Sequence, residues 1–190
     1  MKPAILLVAL VLLSAFSASS QTPDDKTANA ATPAVKPVDP KLHADAIKLV
    51  EAIGAKEYLQ ENFEKLVEEG RKATMDKCPD CSPEFGKEWK KRFLEQSNID
   101  DYLEVCVRAY EKYFTDAEIT ELIALKRDTS DNLIASPALK EKITAVMPEL
   151  MGDVVGDCGK IGAKLGAKIG AEIQREHPEY VKTPTTSTKP

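Results

Sequence analysis

The residues of this chain that could most readily do chemistry are its four cysteines, Cys78, Cys81, Cys106 and Cys158. Cys78-Pro79-Asp80-Cys81 has the spacing of a redox motif, in which a thiol with a lowered pKa attacks a disulfide. The βαβ pattern that surrounds such motifs in thioredoxin-like enzymes is missing from this sequence. A structural disulfide explains the same residues. The sequence therefore predicts no enzyme, with a thiol-disulfide redox protein as the alternative.

Four cysteines allow three pairings, and sequence alone does not choose among them. The favoured pairing closes Cys78 on Cys81 within a loop and leaves Cys106 and Cys158 to staple two helices together. The rival pairings tie the two loop cysteines separately to those helices. A zinc site would need all four thiolates to converge, at a spacing that matches no usual zinc motif. No metal and no cofactor are expected.

Other catalytic patterns are missing from the sequence. It contains no His-Glu-x-x-His motif, no Asp-rich metal loop and no Ser/His/Asp arrangement. Gly159-Lys160 lacks the remainder of a phosphate-binding loop. The formal net charge is -5, and no basic face is evident. An acidic chain of this kind is a poor candidate for binding nucleic acid.

The two ends of the chain have the composition of segments outside a folded core. Lys2, an apolar run over residues 4–16 and the small residues Ala18-Ser19-Ser20 predict a signal peptide over residues 1–20, cleaved near Ser20. The protein is therefore expected to be exported, to the periplasm or beyond. Residues 21–39 are predicted to be a disordered linker and residues 181–190 a disordered tail. The helical domain is expected to span residues 40–180.

Between those ends the apolar residues recur with helical periodicity. Helix starts are marked at Asp39-Pro40, Ser82-Pro83, Asn98 and Ser136-Pro137. Strand signals such as period-two alternation and tight hairpin turns are missing. The sequence thus predicts an all-α fold, a single bundle of roughly five to seven amphipathic helices. Pro148 lies inside the last pattern and is expected to kink or break that helix.

The most sharply specified local structure is a corner between two of these helices. The Thr115 hydroxyl can cap the second helix while Glu118 reaches back to the Thr115 amide, which is a capping box. Phe114 and Ile119 are placed to pack on each other as a hydrophobic staple. This structural corner is predicted to be architectural, with no role in chemistry.

The corner also carries a family resemblance. The pattern is an aromatic residue, then Phe-Thr-x-x-Glu-Leu, then a helix rich in Leu and Ile. Its matching residues here are Tyr110, Phe114, Thr115, Glu118, Leu122 and Ile123. This pattern resembles a family of exported bacterial proteins that contain the helical domain of unknown function 2059. The resemblance covers residues 102–151, and residues 125–130 depart from the aromatic pair and turn that usually follow. It implies an all-helical exported protein with no established activity.

Residues 160–173 repeat a cation, an aliphatic residue, glycine and alanine. On a helix, Gly162, Gly166 and Gly170 form a groove where another helix can approach closely. We expect this groove to pack against the bundle, a protein partner or a second copy. The alternative is a helix on a membrane surface, with the lysines at lipid head groups. Neighbouring acidic residues and the lack of aromatic anchors disfavour the membrane-surface alternative. The protein as a whole is expected to be non-catalytic and to act through protein or surface contacts.

Overall fold

The computed structural model describes residues 39–127 and 135–182, and these form six α-helices and no strand beyond one isolated bridge. The predicted signal peptide, residues 21–38 of the linker, the polar run 128–134 and residues 183–190 of the tail lie outside the described residues. The all-α prediction is confirmed. The helices are α1 (Pro40–Ala52), α2 (Ala55–Asp76), α3 (Pro83–Gln96), α4 (Ile99–Tyr113), α5 (Asp116–Arg127) and α6 (Pro137–Glu176), followed by a short 3₁₀ turn, Pro178–Tyr180.

The helices begin where their capping residues lie. The side chains of Asp39, Ser82, Asn98 and Ser136 each accept a hydrogen bond from a backbone N–H two or three residues further on, at 2.9–3.4 Å. Each bond satisfies a donor that the first helical turn would otherwise leave unpaired. Between α1 and α2, Gly54 adopts φ +74°, a left-handed conformation that glycine reaches without steric cost.

Helix α6 is a single helix of 40 residues, about 60 Å long at 1.5 Å per residue. It contains Pro148, so of the two predicted outcomes, a kink or a break, the break does not occur. Proline removes the hydrogen bond to the carbonyl four residues earlier, at Thr144. Both Pro148 and Thr144 are exposed, and water can therefore satisfy the freed carbonyl. The helix continues because its buried residues Leu150 and Val154 remain in the core.

The core lies along α4, which packs against α1, α2 and α6. Helix α3 fills the space between α2 and α6, and α5 packs on α1. The largest fully buried side chains are spread over α1, α2, α3, α5 and α6: Leu49, Leu59, Val67, Phe93, Ile119, Ile169 and Ile173. Burial of these apolar surfaces is the main favourable contribution to folding.

Candidate functional site

The loop between α2 and α3 holds the Cys78–Cys81 disulfide. Its sulfur atoms are 2.00 Å apart and its Cα atoms 5.3 Å apart. The Cys81 amide donates to the Cys78 carbonyl oxygen at 3.0 Å, so the loop is a tight turn as well as a covalent ring. The predicted pairing of these two cysteines is present in the structure.

A C-terminal strap, residues 180–182, crosses this disulfide loop. The Ser82 amide donates to the Tyr180 carbonyl oxygen at 2.7 Å, and the Lys182 amide donates to the Asp80 carbonyl oxygen at 3.0 Å. Cys81 and Val181 form an antiparallel β-bridge between these bonds. The predicted boundary of the tail is therefore wrong by two residues, because paired backbone groups hold Val181 and Lys182 against the bundle.

The surroundings of Cys78 do not resemble those of a redox nucleophile. Cys78 directly follows Lys77, the C-terminal cap of α2, where the helix dipole disfavours a thiolate. A lowered thiol pKa is usually obtained at the opposite end, a helix N-terminus. Cys81 precedes Ser82, the capping residue of α3. The arrangement fits a staple that joins the end of α2, the start of α3 and the C-terminal strap.

Cys106 and Cys158 are free thiols, so the predicted staple between α4 and α6 is wrong. The two helices do pack together, and both cysteines are buried, with 8% and 3% of their surface exposed. Burial raises the pKa of Cys106 to about 11 and that of Cys158 to about 12, and the nearby Cys106 also raises the latter. Only a thiolate forms a disulfide readily, and these thiols stay protonated. They pack as small apolar groups.

The corner between α4 and α5 is tied to α6 by a lysine that the sequence did not point to. The Thr115 amide donates to Glu118 Oε2 at 2.7 Å, and the Glu118 amide donates to Thr115 Oγ1 at 3.4 Å. Phe114 and Ile119 are both buried. Lys142 of α6 places its Nζ 2.6 Å from Glu118 Oε2 and 5.6 Å from the Phe114 ring centroid. The corner is therefore an attachment point for the long helix.

The glycine groove of α6 is occupied by α3. Trp89 Nε1 donates to the Gly166 carbonyl oxygen at 3.0 Å. A Cβ atom added at Gly166 would lie 2.9 Å from Trp89 Cζ2, and one added at Gly170 would lie 3.8 Å from Phe85 Cζ. Gly162 is buried as well. The groove thus lets aromatic side chains of α3 approach the α6 backbone, and the opposite side of α6 stays exposed.

Neither a metal-binding cluster nor a membrane-spanning helix is present among the described residues. Within residues 39–127 and 135–182, no cluster of three or more His, Cys, Asp or Glu side chains could hold a metal ion. None of the helices in that part of the chain combines the length and apolar character that crossing a membrane requires.

Comparison with known proteins identifies no relative of this chain. The resemblance to exported bacterial proteins with domain of unknown function 2059 stays a prediction. No family model, no curated protein and no solved structure matches this chain.

Proposed function

We propose that this chain is an exported, non-catalytic bacterial helical protein, acting through contacts of its surface with a protein partner or a second copy. The observation that carries this proposal is the Cys78–Cys81 disulfide at the junction of α2, α3 and the C-terminal strap. Disulfides persist in oxidising compartments such as the periplasm or the extracellular space. The signal-like N-terminus and the resemblance at the corner support the same assignment.

The contact surface we propose is the exposed side of α6. Here Asp157 lies toward one end, and Lys160, Lys164 and Lys168 lie toward the other. Small residues lie beside these charges along the same exposed side: Gly152, Gly156, Ala163, Ala167 and Ala171. No bulky side chain therefore prevents close approach of another helix.

The order of charges favours a second copy in antiparallel orientation. With two such helices crossing near Lys160, Asp157 of each copy faces the lysines of the other. A two-fold contact of this kind is self-complementary, as closed dimers require. The same alternation argues against a membrane surface, because Asp157 lies 2.6 Å from Lys160, and Glu172 lies 3.8 Å from Lys168. Membrane-surface association remains the weaker alternative.

Sedimentation equilibrium of the full chain tests this surface. Self-association is expected. Asp157→Lys is expected to weaken it about tenfold, because the substitution is present in both copies and removes the ion pair on each side of the two-fold axis. The matched control is Asp76→Lys, which makes the same charge change at an exposed residue of α2 and should leave association unchanged. A chain that stays monomeric, or equal effects of the two variants, would contradict the self-association proposal.

The non-catalytic part of the proposal has its own test. Insulin reduction by dithiothreitol is measured with the full chain and with Cys78→Ser. We expect the same slow rate with and without the protein, because the disulfide is held within a structural junction. Fast turnover that Cys78→Ser abolishes would overturn this part of the proposal and establish the thiol-disulfide alternative.

A further inference from the structure

The C-terminal strap contacts the disulfide loop on both sides of Cys81. The Tyr180 carbonyl oxygen accepts from the Ser82 amide, one residue after Cys81, and the Lys182 amide donates to the Asp80 carbonyl oxygen, one residue before it. The isolated β-bridge lies between these two bonds. Both hydrogen bonds therefore depend on the course of the backbone through a disulfide-bonded residue.

The loop that offers these partners is short and is closed mainly by the disulfide. Lys77 caps the end of α2 and Ser82 caps the start of α3, so residues 78–81 connect the two helices. Besides the disulfide, the Cys81 amide closes the loop by donating to the Cys78 carbonyl oxygen at 3.0 Å. A ring that joins residues three positions apart constrains the loop itself more than the chain as a whole. Opening the disulfide should therefore loosen the loop and leave the bundle folded.

The base of the strap has an anchor of its own on α6. The rings of His177 and Tyr180 stack with their centroids 4.7 Å apart, and the Tyr180 amide donates to the His177 carbonyl oxygen at 3.0 Å. The Val181 amide donates to the Pro178 carbonyl oxygen at 3.2 Å. None of these contacts involves the disulfide loop. Loss of the loop contacts would therefore free residues 181–182 while the 3₁₀ turn stays formed.

The disulfide is within reach of a dissolved thiol. Pro79 and Asp80, between the two cysteines, are exposed, and Cys78 and Cys81 are half-buried. A thiolate of a dithiol reductant attacks one sulfur, which breaks the S–S bond, forms a mixed disulfide and releases the other cysteine to take up a proton. The second thiol of the reductant then displaces the first cysteine. Two electrons and two protons pass to the loop, and the reductant becomes a disulfide.

We propose that the disulfide loop and the C-terminal strap form a redox-sensitive latch. The oxidised loop holds the strap, and reduction by a dithiol releases residues 181–182 without unfolding the bundle. Coupling between two equilibria is reciprocal, so the docked strap makes the disulfide harder to reduce by the same factor by which the disulfide stabilises docking. The latch goes beyond the proposed surface contact and does not rest on it. In a chain exported as proposed, the latch would be open in the reducing cytosol and close after export.

Glutathione redox buffers measure one side of this coupling. The fraction of Cys78–Cys81 disulfide in the full chain is determined by alkylation and mass spectrometry at a series of ratios of glutathione to glutathione disulfide. Lys182→Pro removes the amide that donates to Asp80, whereas the control Lys182→Ala keeps the amide and removes only the side chain. We expect Lys182→Pro to lower the equilibrium constant for disulfide formation about threefold to tenfold relative to Lys182→Ala. Equal constants for the two variants would overturn the proposal.

Hydrogen exchange measures the other side, in the oxidised and the reduced full chain. The Ser82 and Lys182 amides are bonded across the latch and should exchange about threefold to tenfold faster after reduction. The Ile119 amide donates to the Thr115 carbonyl oxygen at the distant corner and should exchange at the same rate in both states. Unchanged exchange at the latch would contradict the proposal. Equal acceleration at the corner would also contradict it, because reduction would then be unfolding the bundle.

Discussion

Single residues show how strongly burial controls the chemistry of this protein. Cys106 and Cys158 are free thiols, a side-chain type that is reactive when exposed. Burial in the core keeps both of them protonated. Cys78 and Cys81, in contrast, are partly exposed and joined. The difference follows from position, because a thiolate is costly in an apolar core and accessible in a loop.

The buried thiols predict a loss of stability at alkaline pH. Their pKa values rise on folding from 9.0 to about 11 and about 12. Below pH 9 the thiols are protonated in both states; above it the unfolded chain ionises first. The free energy of unfolding should therefore fall by at most about 1.4 kcal/mol per pH unit for each thiol.

Urea unfolding between about pH 8 and pH 10 measures this slope. The control is the double variant Cys106→Ala with Cys158→Ala, in which the buried tyrosines and all other groups still titrate. The variant should be less stable throughout, with a shallower slope. Parallel slopes for the two proteins would show that the thiols do not contribute.

A second prediction for a single residue concerns the contribution of the Thr115 cap to the free energy of unfolding. Thr115→Ala removes the hydroxyl that accepts from the Glu118 amide, and should lower the free energy of unfolding by about 1 kcal/mol. Thr115→Ser keeps the hydroxyl and should cost much less. Equal losses for the two substitutions in urea unfolding would mean that the methyl group, and not the cap, matters.

At the scale of helices, the sequence predicted well where helices begin and poorly which helices pack against each other. Helix starts depend on residues within one turn, so the local pattern at Ser82 and at Ser136 is enough to predict where α3 and α6 begin. The glycine repeat likewise indicated a groove. That Trp89 fills this groove depends on how α3 and α6 cross, and no local pattern contains that information.

Two glycines of α6 make a matched test of that packing. Gly166→Ala should lower the free energy of unfolding by about 1–3 kcal/mol, because its Cβ would lie 2.9 Å from the rigid, buried ring of Trp89. Gly156→Ala has nothing within 4 Å of its Cβ and should raise that free energy by about 0.5–1 kcal/mol through helix propensity. Thermal or urea unfolding reports both. Stabilisation by both substitutions would mean that α3 can move away from α6.

At the scale of the whole molecule, contacts between distant segments decide the architecture. Asp153 of α6 accepts from Lys112 Nζ at 2.6 Å and from the Tyr113 hydroxyl at 2.7 Å. These residues are 40 or more positions apart in the chain, so the sequence did not show their pairing. The free state of Cys106 and Cys158 escaped prediction for a related reason, because two cysteines on facing helices need not lie within bonding reach.

The C-terminal strap gives a prediction at the same scale. Ending the chain after Tyr180 removes the Cys81–Val181 bridge and the bond from the Lys182 amide, while ending it after Lys182 removes neither. The shorter protein should exchange the amide hydrogens of the disulfide loop and the first turn of α3 faster. Hydrogen exchange followed by mass spectrometry compares the two truncations. Equal protection in both would show that the strap does not hold the loop.

The strap also has a consequence for how the protein folds. Cys81 and Val181 are a hundred positions apart in the chain. Closing so long a loop is entropically unfavourable until the segments between are in place. The contact should therefore form in the last step, after α6 has docked on α3 and α4. A chain exported as proposed would complete this step only after Val181 and Lys182 had crossed the membrane, so the strap would close late in translocation.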